Sequence, residues 1–226
     1  MVVQHNLTAM NANRQLSGVT SAQAKSTEKL SSGYRINRAA DDAAGLSISE
    51  KLRSQIRGLD KAASNSQDGI SLVQVAEGAL NETHSILQRM NELATQAAND
   101  TNTSTDRASI QKEMDQLTSE IDRIRSTTQF NSMNLLDGTF KNMKLQVGAL
   151  SGQSIVISID NMNASSLKIS GLKVSSFSSA GKAMAAIQKA INSVSVQRSK
   201  LGAIQNRLEH TINNLNTTSE NTSAAE

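Results

Sequence analysis

The sequence predicts a mainly α-helical fold: an elongated rod of long antiparallel helices, packed like a coiled coil, with a small β-hairpin region at one end. Three observations support this prediction. Apolar residues recur in alternating steps of three and four over long stretches, as in a helix that packs along its whole length. The 226 residues include no proline to break a helix. Three Phe, one Tyr and no Trp are too few bulky side chains for a thick globular core.

The first predicted helix runs from Leu7 to Ser32 and ends at Gly33, a residue that readily adopts the left-handed conformation of a helix cap. Its apolar residues are sparse and do not hold one face for long: Leu7, Met10, Leu16, Val19 and Leu30. Because packing rather than propensity stabilises most helices, we expect this helix to be loosely held until it meets partner chains.

A second, much longer helix follows the irregular basic segment 34–40. Asp41 and Asp42 precede it, where carboxylates bind free amide groups and favour the positive end of a helix. Residues 44–99 would span about 84 Å at the rise of an α-helix. Its predicted packed positions are Leu52, Ile56, Leu59, Ala63, Ser66, Ile70, Val73, Ala76, Leu80, Thr83, Leu87, Met90, Ala94 and Ala97. Three glycines weaken the helix locally, so we expect bends or breaks at Gly58, Gly69 and Gly78.

A third helix is predicted from Ser104 to about Thr128, with one apolar face formed by Ile110, Met114, Leu117, Ile121 and Ile124. The pattern then changes to strict alternation in residues 144–147 and 154–159, which predicts two half-buried strands joined by a turn. A last long helix begins near Ser179. This order predicts a hairpin-like plan in which the strands form the tip far from the two chain ends.

The residues that would carry enzymatic chemistry are missing from the sequence. There is no Cys, no His-Glu-x-x-His motif and no phosphate-binding glycine loop with a Lys, and the three histidines His5, His84 and His210 are far apart. We therefore expect no catalytic residue, no metal and no cofactor. Basic residues near the start of the second helix alternate with acidic ones and lack an aromatic platform, which argues against nucleic-acid binding. No segment approaches the roughly 18 apolar residues that cross a bilayer.

Three stretches carry a resemblance to a known family: LSSGYRINRAADDAAGL (30–46), NSQDGISLVQVAEGALNETH (65–84, continuing with LQRMNEL at 87–93) and LGAIQNRLEHTINNL (201–215). Together they resemble the terminal regions of bacterial flagellin, the subunit of the flagellar filament. The resemblance implies an inner domain called D0, here residues 1–40, and a rod-like domain called D1, here residues 41–226, with a short β-region or variable insert at 137–180. Flagellins end in a further helix that pairs with the first, so a chain that stops at Glu226 is expected to be truncated and to polymerise poorly.

The resemblance also implies partners and a location. The chain is expected to form a homopolymeric filament outside the cell and to reach it through the flagellar export machinery, with flagellin chaperones and without a cleaved signal peptide. Residues 1–7 agree with the last point, since they have neither a basic start nor an apolar run. We expect neither nucleic acid nor a membrane as partner.

Recognition by Toll-like receptor 5, an innate immune sensor, is a further implication of the resemblance. The family's contact motif maps to Leu87, Gln88, Arg89, Leu93 and Glu113. Arg89 offers a planar fork of donors and Leu93 an apolar contact, which suits a binding hot spot. The family motif has a second Arg where Asn91 stands. The alternative is that these residues only make filament contacts or form a solvated helix face.

Two other functions remain open at this point. A flagellar hook–filament junction protein shares the terminal motifs but is usually longer. A protein of a different class, a soluble helical adaptor or nucleic-acid-binding protein, would share only the long helices.

Overall fold

A computed structural model describes residues 6–226. The elements, in chain order, are α1 (Leu7–Ser32), α2 (Ala43–Ala97), α3 (Ser104–Thr127), β1 (Gln129–Phe130), β2 (Met133–Asn134), β3 (Met143–Gln146), β4 (Ser154–Ile157) and α4 (Phe177–Ala225). The prediction of a mainly α-helical fold with short strands is confirmed. None of the described helices combines the length and apolarity needed to cross a membrane. The chain forms two compact units, which we call the first unit (residues up to Ile56, with Thr222–Glu226) and the second unit (Arg57–Asn221).

Helix α1, in the first unit, has well-formed ends but no packed face. The Asn6 side chain accepts a hydrogen bond from the backbone N–H of Ala9 at 3.1 Å, and Gly33 ends the helix at a φ of 75°. No residue of α1 is buried. Local capping signals therefore set the ends of the helix, and its apolar side chains remain uncovered, as its sparse apolar pattern predicts.

The segment after α1 prepares the start of α2. The carboxylate of Asp42 accepts a hydrogen bond from the backbone N–H of Gly45 at 2.9 Å, so the predicted capping role of this residue is confirmed. Gly45 also lies against the Ile36 side chain. Arg53 lies over the ring of Tyr34 with 5.6 Å between the guanidinium carbon and the ring centroid. These contacts hold the 34–42 turn against the first part of α2.

Helix α2 continues without interruption through its glycines, so the expectation of breaks is wrong. Two of these glycines have a packing role: a Cβ at Gly58 would lie 2.9 Å from the Ala149 Cβ, and one at Gly69 would overlap a methyl of Leu145. Both glycines thus let the hairpin β3–β4 approach the helix axis closely. The buried face agrees closely with the predicted one and consists of Leu59, Ala62, Ser66, Gly69, Leu72, Val73, Ala76, Leu80, Thr83, Leu87, Met90, Leu93, Ala94 and Ala97.

The core of the second unit is built by α2, α3, α4 and the irregular segment 135–174 together. That segment buries Leu135, Leu136, Phe140, Ile155, Ile157, Ile159, Met162, Ala164, Leu167, Ile169 and Val174. Helix α3 holds it through two side chains. The amide of Gln111 donates to the Leu172 carbonyl and accepts from the Val174 N–H, both at 2.9 Å, and Asp122 accepts from the Ala164 N–H at 2.9 Å. The segment expected to be a variable insert is thus part of this core.

Strands β3 and β4 pair antiparallel, with Met143 opposite Ile157 and Gln146 opposite Ser154. They lie along α2 and not at a tip far from the chain ends. The contact that shows this is a hydrogen bond of 3.1 Å from the Asn65 side chain to the Gln146 carbonyl. The predicted position of the strands is therefore wrong, although their residues are nearly right. A second, very short hairpin, β1–β2, had no sequence prediction; its turn places Asn131 and Ser132 at positive φ.

Candidate functional site: the Arg89 cluster

The residues assigned to receptor recognition lie on facing parts of α2 and α3, and the structure joins two of them directly. The Nε of Arg89 donates to an oxygen of Glu113 at 3.0 Å, and a terminal nitrogen of Arg89 lies 2.9 Å from the same oxygen. The other terminal nitrogen donates to Glu92, one helical turn later on α2, at 3.1 Å. Arg89 thus links α2 to α3 while its side chain remains half exposed.

The carboxylates of this cluster stabilise the charge of Arg89. Hydrogen bonds to Glu113 and to Glu92, together with the attraction of both carboxylates, raise the pKa of Arg89 above its usual value. Arginine is cationic at every physiological pH in any setting, so the two carboxylates fix the position of the charge and not its presence. One cation held between two exposed carboxylates forms a compact surface of mixed charge, which we call the Arg89 cluster (Arg89, Glu92 and Glu113).

Two of the five predicted contact residues are not on the surface. Leu87 is completely buried and Leu93 is 2% exposed, and both belong to the core of the second unit. The expectation that Leu93 offers an apolar contact to a partner is wrong for this conformation, because its face of α2 packs inside the unit. Gln88 is exposed, and its side-chain nitrogen lies 3.2 Å from the Nε2 of His84. Of the five predicted contact residues, Gln88, Arg89 and Glu113 are therefore the exposed ones.

Glu92 is the member of the cluster that sequence reasoning missed. Its position three residues after Arg89 on a helix was the available signal, since such pairs face each other. The pairing with Glu113 needed the structure, because it depends on how α3 lies against α2.

Within residues 6–226, no group of three or more potential metal-ligating side chains comes together. His84 and His210 both lie in helices, and His5 lies outside the described residues.

Comparisons with known proteins agree with the sequence motifs over most of the chain. The family description for the bacterial flagellin N-terminal helical region matches residues 3–141, and that for the C-terminal helical region matches residues 184–226. The flagellin of Halalkalibacterium halodurans is 54% identical over 228 aligned residues, which cover the whole of this chain and 84% of that protein. The chain belongs to the bacterial flagellin family.

Solved structures agree with this assignment. The crystal structure of Bacillus cereus flagellin matches with a TM-score of 0.59 at 34% identity and covers 73% of this flagellin and 95% of the known chain. A putative flagellar hook-associated protein from Vibrio parahaemolyticus gives a TM-score of 0.68, covering 83% of this chain and 98% of that one, at 15% identity. Because that identity is low, the second likeness shows a shared fold only.

As a flagellin, the chain is a structural subunit of the flagellar filament and not an enzyme. It self-assembles, and the filament that it forms is extracellular. This assignment decides between the functions left open by the sequence and sets aside the soluble adaptor or nucleic-acid-binding protein.

Proposed function

We propose that this flagellin has two roles, one in the filament and one as a free monomer. In the filament it is a subunit whose first helix packs only on assembly. As a monomer it is recognised by Toll-like receptor 5 at the Arg89 cluster. The observation that carries the second role is the exposed, charge-paired Arg89 between α2 and α3. Residues 1–40 act as the D0 helix and linker, and residues 41–226 form D1 with its short β-region at 137–180.

The filament role is supported by the difference in burial between α1 and the second unit. Helix α1 has no buried residue, so its apolar side chains are free to pack against other subunits. The second unit buries its own apolar side chains in a large core cluster and in a smaller one at Leu59, Ala62 and Leu215. One segment of a protein can become ordered only on assembly while the rest of the chain is already stably folded.

Recognition at the Arg89 cluster is supported by its preorganisation. The guanidinium has five N–H groups, and the two intramolecular hydrogen bonds leave others free for a partner. Glu113 and Glu92 fix the Arg89 side chain in one orientation, so binding loses little side-chain entropy. Arginine in such a setting is a frequent hot spot of protein interfaces. Because α2 and α3 are also expected to pack in the filament, the receptor binds free monomers.

The receptor proposal is tested by affinity of the monomer for the receptor ectodomain. Arg89→Ala is expected to lower the affinity by about thirtyfold, the size of a typical hot spot. Arg123→Ala is the matched control, since Arg123 is also an exposed helical arginine paired with a carboxylate, that of Glu120. Equal affinities for the two variants would overturn the proposal. Asn91→Arg, which restores the family's second arginine, is expected to raise the affinity.

Leu93 requires a separate readout because it lies in the core. Leu93→Ala is expected to lower the free energy of unfolding by about 2–5 kcal/mol and to reduce receptor binding only as far as it unfolds the protein. A loss of binding by fully folded Leu93→Ala would instead show a direct contact.

Export through the flagellar machinery with flagellin chaperones completes the proposal. The absence of cysteine means that no disulfide has to be broken for the chain to travel unfolded. The intact mass of the protein recovered from extracellular filaments tests the route, because a cleaved signal peptide would remove the first residues.

A further inference from the structure

The buried face of α4 follows a heptad pattern that contains one polar residue. From Ala180 to Leu201 the buried residues are spaced by alternating steps of three and four, and two leucines follow at intervals of seven. The full set is Ala180, Ala183, Ile187, Ala190, Val194, Gln197, Leu201, Leu208 and Leu215. Gln197 is the one member that is not aliphatic. A residue at such a position usually contributes through apolar packing, so a glutamine there calls for a separate explanation.

Helix α4 lies antiparallel to α2 without the help of Gln197. Three contacts between side chains run in opposite order along the two helices: Thr95 with Met184 at 3.3 Å, Glu77 with Arg198 at 3.6 Å, and Asp60 with Ser219 at 2.9 Å. The first and the last of these contacts lie on either side of Gln197 along α4. Together with the shared apolar core, they set the register of the two helices.

The side chain of Gln197 is bonded to the strand region instead. It is 1% exposed, and its amide nitrogen donates to the carbonyl of Ser158, the residue after β4, at 3.2 Å. Its amide oxygen has no hydrogen-bond partner within residues 6–226. A buried amide that makes only part of its hydrogen bonds stabilises a core less than a well-packed aliphatic side chain does. The bond to Ser158 is therefore what Gln197 supplies at this position.

The hairpin β3–β4 is held at its two ends by different helices. At the turn end, α2 holds it through the bond from Asn65 to Gln146. At the other end, which we call the open end (residues 157–159), α4 holds it through the bond from Gln197 to Ser158. The irregular stretch that follows, before α4 begins, is long enough to close over many distances and does not select one level of α4.

The neighbouring levels of α4 offer no equivalent bond. Displacement of the open end by one heptad along α4 would bring the Ser158 carbonyl to Ala190 or to Ile204, whose side chains have no donor. The carbonyl and the glutamine amide would then both be buried without a partner, which is unfavourable. A single polar residue in a coiled-coil seam specifies register in the same way, at a cost in stability.

We infer that Gln197 is a positioning residue, which fixes the level on α4 at which the open end of the hairpin docks. It thereby sets the point at which the irregular segment after β4 enters the core of the second unit. The bond contributes to the placement of this segment and not to the packing of α4 on α2. Loss of the amide should therefore affect the open end while the helices remain stable.

Hydrogen exchange of the folded full chain, followed by NMR, tests this role. Gln197→Met retains the size of the side chain and removes the amide. It is expected to leave the melting temperature unchanged or to raise it. The Ile159 N–H, which donates to the Phe140 carbonyl at 2.9 Å, is expected to exchange about tenfold faster. The Ala164 N–H, which is bonded to Asp122 of α3, should keep its natural exchange rate.

Gln205→Met is the matched control. Gln205 lies on the same helix, and its amide bonds to Glu209 within α4 at 2.9 Å, so its loss should leave both exchange rates unchanged. An unchanged rate at Ile159 in Gln197→Met would overturn the inference. A fall in melting temperature with faster exchange throughout α4, or failure of this variant to fold, would also overturn it, because Gln197 would then be required for helix packing itself.

A distance measurement distinguishes a fixed level from a merely tighter contact. Val156 of β4 and Val196 of α4 are both exposed, and the natural chain has no cysteine, so spin labels at Val156→Cys and Val196→Cys report where β4 lies along α4. We expect a narrow distribution of distances with Gln197 present and a broader or displaced one with Gln197→Met. An equally narrow distribution at the same distance would contradict the positioning role.

Discussion

Helix α1 and the part of α2 in the second unit are both long, regular helices, but they are stabilised in different ways. Helix α1 has a side-chain cap at Asn6, a left-handed glycine at its end and no buried residue. Helix α2 contains glycines that lower its intrinsic helix propensity, yet fourteen of its residues are buried. Local capping signals are therefore sufficient to define where a helix begins and ends, while its stability in the monomer depends on what covers it.

The largest expected effect comes from removing a core side chain of α2. Leu80 is completely buried, so Leu80→Ala should lower the free energy of unfolding by about 3 kcal/mol. Leu16 in α1 is 65% exposed, and Leu16→Ala should change the free energy of unfolding by less than about 0.5 kcal/mol. Urea denaturation followed by circular dichroism compares the two. Similar losses for both would show that α1 is packed in the monomer.

The α2 glycines provide the next test. At Gly58 an added methyl group meets Ala149, so Gly58→Ala should destabilise the monomer by about 1 kcal/mol despite its better helix propensity. At Gly78 nothing lies within 4 Å, and Gly78→Ala should stabilise it by up to about 1 kcal/mol. Thermal denaturation of the two variants should therefore shift in opposite directions. Stabilisation by both would mean that the β3–β4 turn does not press on α2.

A cap in the second unit should have an effect of similar or slightly smaller size. The Thr103 hydroxyl accepts from the Asp106 N–H while the Asp106 carboxylate accepts from the Thr103 N–H, a reciprocal capping box at the start of α3. Thr103→Ala should cost about 1 kcal/mol in urea denaturation. Thr103→Ser, which retains the hydroxyl, is the matched control and should lose much less.

The smallest expected effect is on acid stability. Hydrogen bonds from the hydroxyl and the N–H of Thr139 lower the pKa of Asp137, which lies before the left-handed Gly138. A lowered folded-state pKa stabilises the fold above the ordinary pKa of about 3.9, and this contribution is lost as the pH falls through the lowered value. Asp137→Asn should therefore be less stable than the natural chain near neutral pH, by under about 1 kcal/mol because the group is partly exposed. The difference should disappear in denaturation at the lowest pH.

The Arg89 cluster shows where sequence reasoning about a site reached its limit. Leu87 occupied a predicted packed position of α2, so its burial followed from the same periodicity that predicted the helix. Leu93 was not among the predicted packed positions. It lies three residues after Met90 and next to Ala94, and the spacing pattern favoured Ala94. All three residues are buried, since α2 packs against more than one neighbour and its buried face is wider than a single seam. Leu93 is buried because of the elements that pack against α2, and the spacing of apolar residues along α2 did not predict this.

The sequence by itself determined the number, order and approximate ends of the helices, the face that α2 buries and the pairing of the longer strands. These features depend on local capping, on backbone propensity and on the spacing of apolar residues, all of which are written along the chain. Only the tertiary structure decided that β3–β4 lies beside α2, that segment 135–174 enters the core and that Arg89 joins Glu113. Each of these depends on how residues far apart in sequence meet, and periodicity carries no information about that.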